Sequence, residues 1–211
     1  MRKIPTLFKR EFKGHHVAKT LPIVTEGMEW VLDGEGIATV KWDGACCIIH
    51  NEKLFKRYDA NAKKGRKVPD GAIPCQEEPD PVTGHFPCWV EVDLLNPAPE
   101  DKWFIKAFQT YLDENEMTEM TLPNFMGIIC KYQALSGTYE AIGRHFNGNP
   151  YRLSYDTLIR HGQHKISVPR TYYGIRKYLK ENQIEGIVFW KDGVPQCKIK
   201  RTDFGFAWPV K

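Results

Sequence analysis

A lysine attacks phosphorus or a carbonyl carbon once its proton is removed and its amine is held in place. Lys41 is the lysine best set for such work here, because it stands in the tetrapeptide Lys41-Trp42-Asp43-Gly44, where an apolar stretch meets a turn. Residues 37–58 (IATVKWDGACCIIHNEKLFKRY) read as a meander. A strand carries Lys41, a tight Asp43-Gly44 turn leads to a second strand over 45–50, and a polar Asn51-Glu52-Lys53 turn leads to a third ending at Arg57 and Tyr58. K-x-D-G alone is short enough to recur by chance, and the plain alternative is a hairpin with a solvated lysine. The supporting chemistry must come from elsewhere in the chain.

Candidate carboxylates and cations occur in strand contexts. Glu140 lies in a short strand over 139–142 and points opposite to Tyr139 and Ala141. Residues 184–190 (IEGIVFW), an Asp192-Gly193 turn and residues 196–201 (QCKIKR) read as a hairpin, with Glu185 at its opening. Lys198 and Lys200 are two apart and share a face, while Cys197 and Ile199 take the other. Two such lysines repel unless an anion lies between them or the face is solvated. Residues 89–95 (WVEVDLL) read as a strand with Glu91 and Asp93 on one face; Asp93 is assigned to solvent and Glu91 is left open. Adjacent His15 and His16 point to opposite faces of an extended segment, so a shared metal is not expected there.

These residues need a scaffold, and 211 residues suffice for one main domain with a sizeable core. Residues before Ala38 read as a leading segment covering one edge of that core. Residues 59–87 read as a long Gly-, Pro- and charge-rich loop, 101–116 and 172–182 as amphipathic helices, and 125–132 as a strand. The first helix buries Trp103, Phe104, Ala107, Phe108, Tyr111 and Leu112; the second buries Ile175, Tyr178 and Leu179. Six cysteines show no C-x-x-C pair, so neither a disulfide framework nor a zinc site is expected, and a reducing cytoplasm is the expected compartment. No signal-peptide core and no membrane span are read. The net charge is a modest +4, but basic residues cluster at 53–67 and 191–201, as suits a polyanion. For Lys63, Lys64, Arg66 and Lys67 a solvated basic face is an equal alternative.

Lys41 with Asp43-Gly44, Arg57, Glu140, Glu185-Gly186 and Lys198-x-Lys200 stand in an order that resembles the covalent nucleotidyltransferase superfamily of ATP-dependent ligases and capping enzymes. KWDG matches its motif I, TYEAIG motif III, EGIVFW motif IV and CKIK motif V. Within it, the chain looks most like the small cellular RNA ligases that join a 5′-phosphate to a 3′-hydroxyl, an impression strengthened by KIPTLF, GEGIATVKWDG and KIKRTDFGFAWP. The resemblance implies an α+β, ATP-grasp-like domain of antiparallel sheets with flanking helices and an ATP cleft between them. It implies no OB-fold domain, since Lys211 follows closely on Lys200. Substrate would then be gripped by the core, an oligomer or a partner.

The same resemblance implies ATP and Mg²⁺, with Mn²⁺ as an alternative ion, and an RNA substrate. Lys41 would take AMP from ATP and pass it to an RNA 5′-phosphate. The 3′-hydroxyl would then attack and release AMP. A free lysine, with a pKa of about 10.4, is protonated at neutral pH, so nearby cations must favour the neutral amine. By position in the motifs, Lys198 and Lys200 serve the phosphates, with Lys200 on the α-phosphate. Glu140 serves the ribose, with metal ligation as its other reading, Glu185 serves the metal, and Asp43, Gly44 and Arg57 complete the nucleotide contacts. Many relatives carry an arginine soon after K-x-D-G where this chain has Ala45, Cys46 and Cys47; Arg57 is the substitute. Phe146 is the candidate for stacking on the base, with packing against the Asn147 turn as the other reading. A DNA nick-sealing enzyme, a non-catalytic nucleotide- or RNA-binding module and a protein passing AMP to another acceptor are the rival readings. The setting, whether RNA repair, defence or processing, is left open.

Overall fold

The structure, a computed structural model, describes residues 3–14, 16–115 and 135–210. The expected strand over 125–132, His15 and Cys130 lie outside the described residues. The chain is α+β, and it divides into two compact units, Gly44–His161 and Lys3–Asp43 with Gly162–Lys211. No helix among the described residues is long and apolar enough to cross a membrane.

The first unit is built on a six-stranded sheet. Its strands are β4 (Ala45–His50), β5 (Lys53–Ala60), β6 (Ile73–Pro74), β7 (Phe86–Glu91), β8 (Gly137–Gly143) and β9 (Asp156–Arg160). They lie in the order β6-β7-β5-β4-β8-β9, each neighbour antiparallel. Asn51 and Glu52 both adopt positive φ, which gives the β4–β5 hairpin the twist of its strands. Helix α1 (Lys102–Glu114) lays its aromatic stripe on one face, where Phe108, Ala107, Cys47, Tyr139, Ala141 and Leu158 are buried together. Trp103, Phe104, Tyr111 and Leu112 pack around them, as the helical spacing predicts. Asp101, at the head of the helix, does not cap it with its side chain; it is buried against the Lys56 ammonium.

The second unit holds a hairpin and a four-stranded sheet. β1 (Phe8–Lys13) pairs with β2 (His16–Val24), while β10 (Lys165–Ile166), β3 (Ile37–Lys41), β11 (Gly186–Lys191) and β12 (Val194–Lys200) pair antiparallel in that order. The segment before β1 adds a parallel bridge from Thr6 to Lys198. Leu7, Phe8, Val31, Ile175, Leu179, Ile187, Phe189 and Ile199 form the core. Helix α2 (Tyr172–Glu181) closes it, and its first turn is capped by the Thr171 hydroxyl, which accepts from the Gly174 N–H at 3.1 Å.

Three expectations are corrected. β3 and β4 do not pair, because β3 belongs to the four-stranded sheet and β4 to the six-stranded one. Asp43-Gly44 is therefore a passage between sheets and not a hairpin turn. The strand at 89–95 ends at Glu91. Asp93 accepts the N–H groups of Leu95 and Asn96 at 2.8 and 3.0 Å, which end the ladder and lower its carboxyl pKa. The long loop is shorter than expected, since β5, β6, β7 and a 3₁₀ turn at Ala62–Lys64 occupy parts of it.

Candidate active site

In the second unit, register brings the motif residues together. Gly186 on β11 lies directly opposite Lys41 on β3 and opposite Lys200 on β12, so the two lysines flank one glycine across three strands. Directly opposed residues share a face of the sheet. Gly186 is obligatory at this contact, since a Cβ there would stand 2.3 Å from the Ile199 carbonyl oxygen. Glu185, just before the strand, is 4% exposed and bridges both ammonium groups. Its Oε2 accepts from Lys41 Nζ, and its Oε1 is 2.6 Å from Lys200 Nζ. A carboxylate this deeply buried is tolerated because two cations compensate it.

Burial favours the neutral form of Lys200, but the Glu185 carboxylate, with Asp43 and Asp203 behind it, outweighs burial and raises its pKa. Lys200 is therefore a cation throughout the neutral range. Its place at the strand end is fixed from below. The Lys200 N–H donates to Asp203 at 2.8 Å, Asp203 accepts from Arg10 at 3.1 Å, and Arg201 sends its guanidinium to the Leu179 and Asn182 carbonyls at the end of α2. Lys198 projects from the same side of β12, with Cys197 and Ile199 buried on the other. Asp43 accepts from the Trp208 indole N–H at 2.7 Å.

The first unit gathers a second set on the face of its sheet opposite α1. Tyr139 and Ala141 are fully buried on the helix side, so Glu140 between them points to the other face, as alternation predicts. Its Oε1 accepts the Gly44 N–H at 3.0 Å and its Oε2 lies 3.0 Å from His161 Nε2. The Gly44 carbonyl accepts from Asn147 at 2.7 Å. Arg57, 26% exposed, is paired with Asp59 of its own strand at 3.0 Å. Cys46 lies opposite Glu140 in register, and burial, reinforced by the Glu140 charge, pushes its thiol up to about 12. Phe146 is only 6% exposed and packs edge-on against Phe104 in the core, which leaves it the packing role and no open face for a base.

Gly44 explains the glycine of the tetrapeptide. A Cβ there would stand 2.1 Å from the Ala141 carbonyl oxygen, so β4 and β8 could not keep their register. Gly44→Ala is expected to cost about 3 kcal/mol, the upper range for overpacking, or a fall of roughly 6–12 °C in Tm. Scanning calorimetry measures it, and an unchanged Tm would refute the close approach.

The structure thus brings Lys41, Glu185 and Lys200 into contact, places Lys198 beside them, and separately joins Gly44 to Glu140. Sequence reasoning missed His161, Asn147 and Trp208, which hold motif residues through contacts distant in sequence, and Asp203, which holds Lys200 from three residues along the chain. As for divalent metal, no cluster of three oxygen ligands surrounds Glu185 among the described residues. One carboxylate still suits Mg²⁺, which keeps water and takes phosphate oxygens for the rest of its shell. Glu140 stands among a thiol and an imidazole, a donor set foreign to Mg²⁺.

Comparison with known proteins points to one family. A family model described as RNA ligase 1 matches residues 56–211. The chain is 26% identical over 270 residues to RNA ligase 1 of Rattus norvegicus, covering 99% of this chain and 82% of the relative. It is 27% identical over 229 residues to RNA ligase 1 of Danio rerio, covering 82% and 68% respectively. With the family model matched along most of its length and relatives of that name aligned along nearly all of it, this chain belongs to the RNA ligase 1 family.

Proposed function

We propose that this protein is an ATP-dependent RNA ligase that carries AMP on Lys41. The observation that supports this most is the contact of Lys41 and Lys200 with one buried carboxylate. A binding module has no use for a fixed primary amine beside a proton acceptor and a second cation.

In the proposed reaction, Lys41 Nζ attacks the α-phosphorus of ATP. The ammonium first passes one proton to the Glu185 carboxylate in contact with Nζ, the group we assign to take it, so that the neutral amine attacks. The N–P bond forms as the bond to pyrophosphate breaks, and the second proton lost by nitrogen goes to the departing pyrophosphate. An oxygen of the RNA 5′-phosphate then attacks the same phosphorus, the N–P bond breaks, and the RNA 5′ end carries AMP through a pyrophosphate linkage. Attack by a 3′-hydroxyl on the RNA phosphorus completes the phosphodiester and releases AMP. Negative charge builds on phosphate oxygens in each displacement, and a fixed Lys200 cation stabilises it without reorganising. Glu140 is assigned to the ribose hydroxyls, Arg57 to phosphate or ribose oxygens, and Lys198 to the phosphates. Mg²⁺ would be held through Glu185 and would supply further positive charge at the phosphates.

The test is joining of an RNA with a 5′-phosphate and a 3′-hydroxyl, read on a denaturing gel, beside a DNA of the same sequence. ATP-dependent joining of the RNA supports the proposal. Joining of the DNA alone, or of neither while AMP accumulates on the protein, overturns the RNA assignment.

The exposed Lys64 ends a 3₁₀ turn capped by Gly65 in the left-handed conformation, and the exposed Arg66 and Lys67 follow it. Reversing these three charges is expected to weaken RNA binding at low salt and to flatten the dependence of log K on log salt by about 0.7 for each phosphate that is no longer neutralised. Fluorescence anisotropy across a salt series checks this, and an unchanged slope would leave the loop as solvated surface.

A further inference from the structure

We propose that Cys46, Glu140 and His161 form a Zn²⁺-binding site, and that the ion there takes the carboxylate assigned to the ribose. Sulfur, oxygen and nitrogen donor atoms of these residues all lie within 4.8 Å of one another, the one such group of three among the described residues. They come from three adjacent strands or strand ends: Cys46 on β4 faces Glu140 on β8, and His161 follows directly on β9. Spacing along the chain therefore gave no hint of them, and the absence of a C-x-x-C pair was no guide.

The chemistry of the set selects the ion. A thiol, an imidazole and a carboxylate suit Zn²⁺, whose sites mix S, N and O ligands and are satisfied by three protein groups plus one open position. A tetrahedral ion with bonds of about 2.0–2.3 Å holds its donors about 3.3–3.8 Å apart, so closure asks roughly 1 Å of side-chain adjustment. His161 also has an atom to offer. Its Nε2 lies 3.0 Å from Glu140, while its Nδ1 is buried without a hydrogen-bond partner. A ring turn that points either nitrogen at the ion costs the site no other hydrogen bond. Arg57, whose charge reaches Cys46, opposes the ion, but it is already paired with Asp59.

The consequence rests on the function proposed above. With Oε2 beside His161 taken by zinc and Oε1 already accepting the Gly44 N–H, Glu140 is left a weakened acceptor for a ribose hydroxyl. Zinc is then an inhibitor that competes with ATP, and Cys46, which has no part in the proposed chemistry, is the handle that separates binding from turnover.

Co²⁺ is the probe, because a thiolate ligand gives it an intense near-ultraviolet charge-transfer band. Titration of the whole protein should develop that band to one equivalent and Zn²⁺ should abolish it. Cys46→Ala should lose it, with Cys75→Ala as the variant that keeps it. Absence of the band in the wild-type protein, or its survival in Cys46→Ala, overturns the site. Should Cys46→Ala fail to fold, Cys46→Ser answers the same question, since a hydroxyl gives no such band. AMP capture is measured on the same samples. Inhibition by Zn²⁺ that ATP relieves, and that drops at least tenfold in Cys46→Ala, supports competition; equal inhibition of both proteins refutes it. If the metal-free protein captures no AMP at all, the proposed function fails while the cobalt spectrum still decides the site.

Discussion

Lys41→Ala protein incubated with ATP and Mg²⁺ is expected to keep its own mass, while the wild-type protein gains one AMP. The loss should be complete, because the substitution removes the only atom that forms the bond to phosphorus. It should also be clean. The position of β3 is set by backbone pairing of Ile37–Lys41 with β11, which needs no lysine side chain. Glu185 keeps the Lys200 ammonium at 2.6 Å, so the buried carboxylate is not left unpaired. A loss of about 1 kcal/mol, or roughly 2–4 °C in Tm, is the expected structural cost. Lys41→Arg sharpens the test, since a guanidinium retains the charge opposite Glu185 but is not a nucleophile at neutral pH. It should be as stable as the wild type and equally unable to hold AMP. Intact-mass measurement on all three proteins, after removal of any AMP carried through purification, decides the matter. AMP retained on either variant would take the nucleophile away from Lys41.

The parts of this arrangement that were legible in the sequence are those that local physics determines. Alternation within one strand placed Glu140 opposite Tyr139 and Ala141, and placed Lys198 with Lys200 away from Cys197 and Ile199. A 3.6-residue stripe gave both described helices to within two residues at each end. The Asp192-Gly193 turn, with φ of 52° and 74°, is the hairpin its dipeptide announces.

What escaped reading depends on partners distant in the chain. β3 and β4 are contiguous apolar runs around a turn dipeptide, which is the pattern of a hairpin, yet β3 pairs with β11, far along the chain at Gly186–Lys191. Nothing in residues 37–50 distinguishes the two outcomes. β1 was missed for another reason: beyond Phe8, its exposed and charged residues (KREFK) carry little of the apolar alternation that marks a strand, and Phe8 alone in it is buried. Phe146 shows the opposite failure. An aromatic beside a turn can serve a ligand or a core, and only the presence of Phe104 on α1 assigns it to the core.

The hydrogen bonds beneath Lys200, one local to Asp203 and others from Arg201 to the end of α2, carry the second large effect. Lys200→Ala is expected to slow capture of AMP by two to three decades, or about 2.7–4 kcal/mol of lost charge stabilisation in the transition state, while leaving Lys41 competent. The cation is preorganised, since its backbone is tied to Asp203 and the next residue, Arg201, is anchored to the end of α2. Its removal therefore deprives the developing charge of a partner that water cannot replace at the same site. Because its pKa is raised above the ordinary lysine value, Lys200 keeps its proton throughout, and the deficit of the variant should be constant between about pH 7 and pH 9. A lysine that acted by trading a proton would instead give a deficit that changes with pH. Lys200→Arg should recover part of the rate, since the charge survives but the planar fork does not fit the space of an ammonium at 2.6 Å from Glu185. Quenched-flow measurement of AMP transfer to the protein, across that pH range, gives both quantities. A rate unchanged in Lys200→Ala would remove this residue from the chemistry and leave it as the second counter-ion of a buried carboxylate.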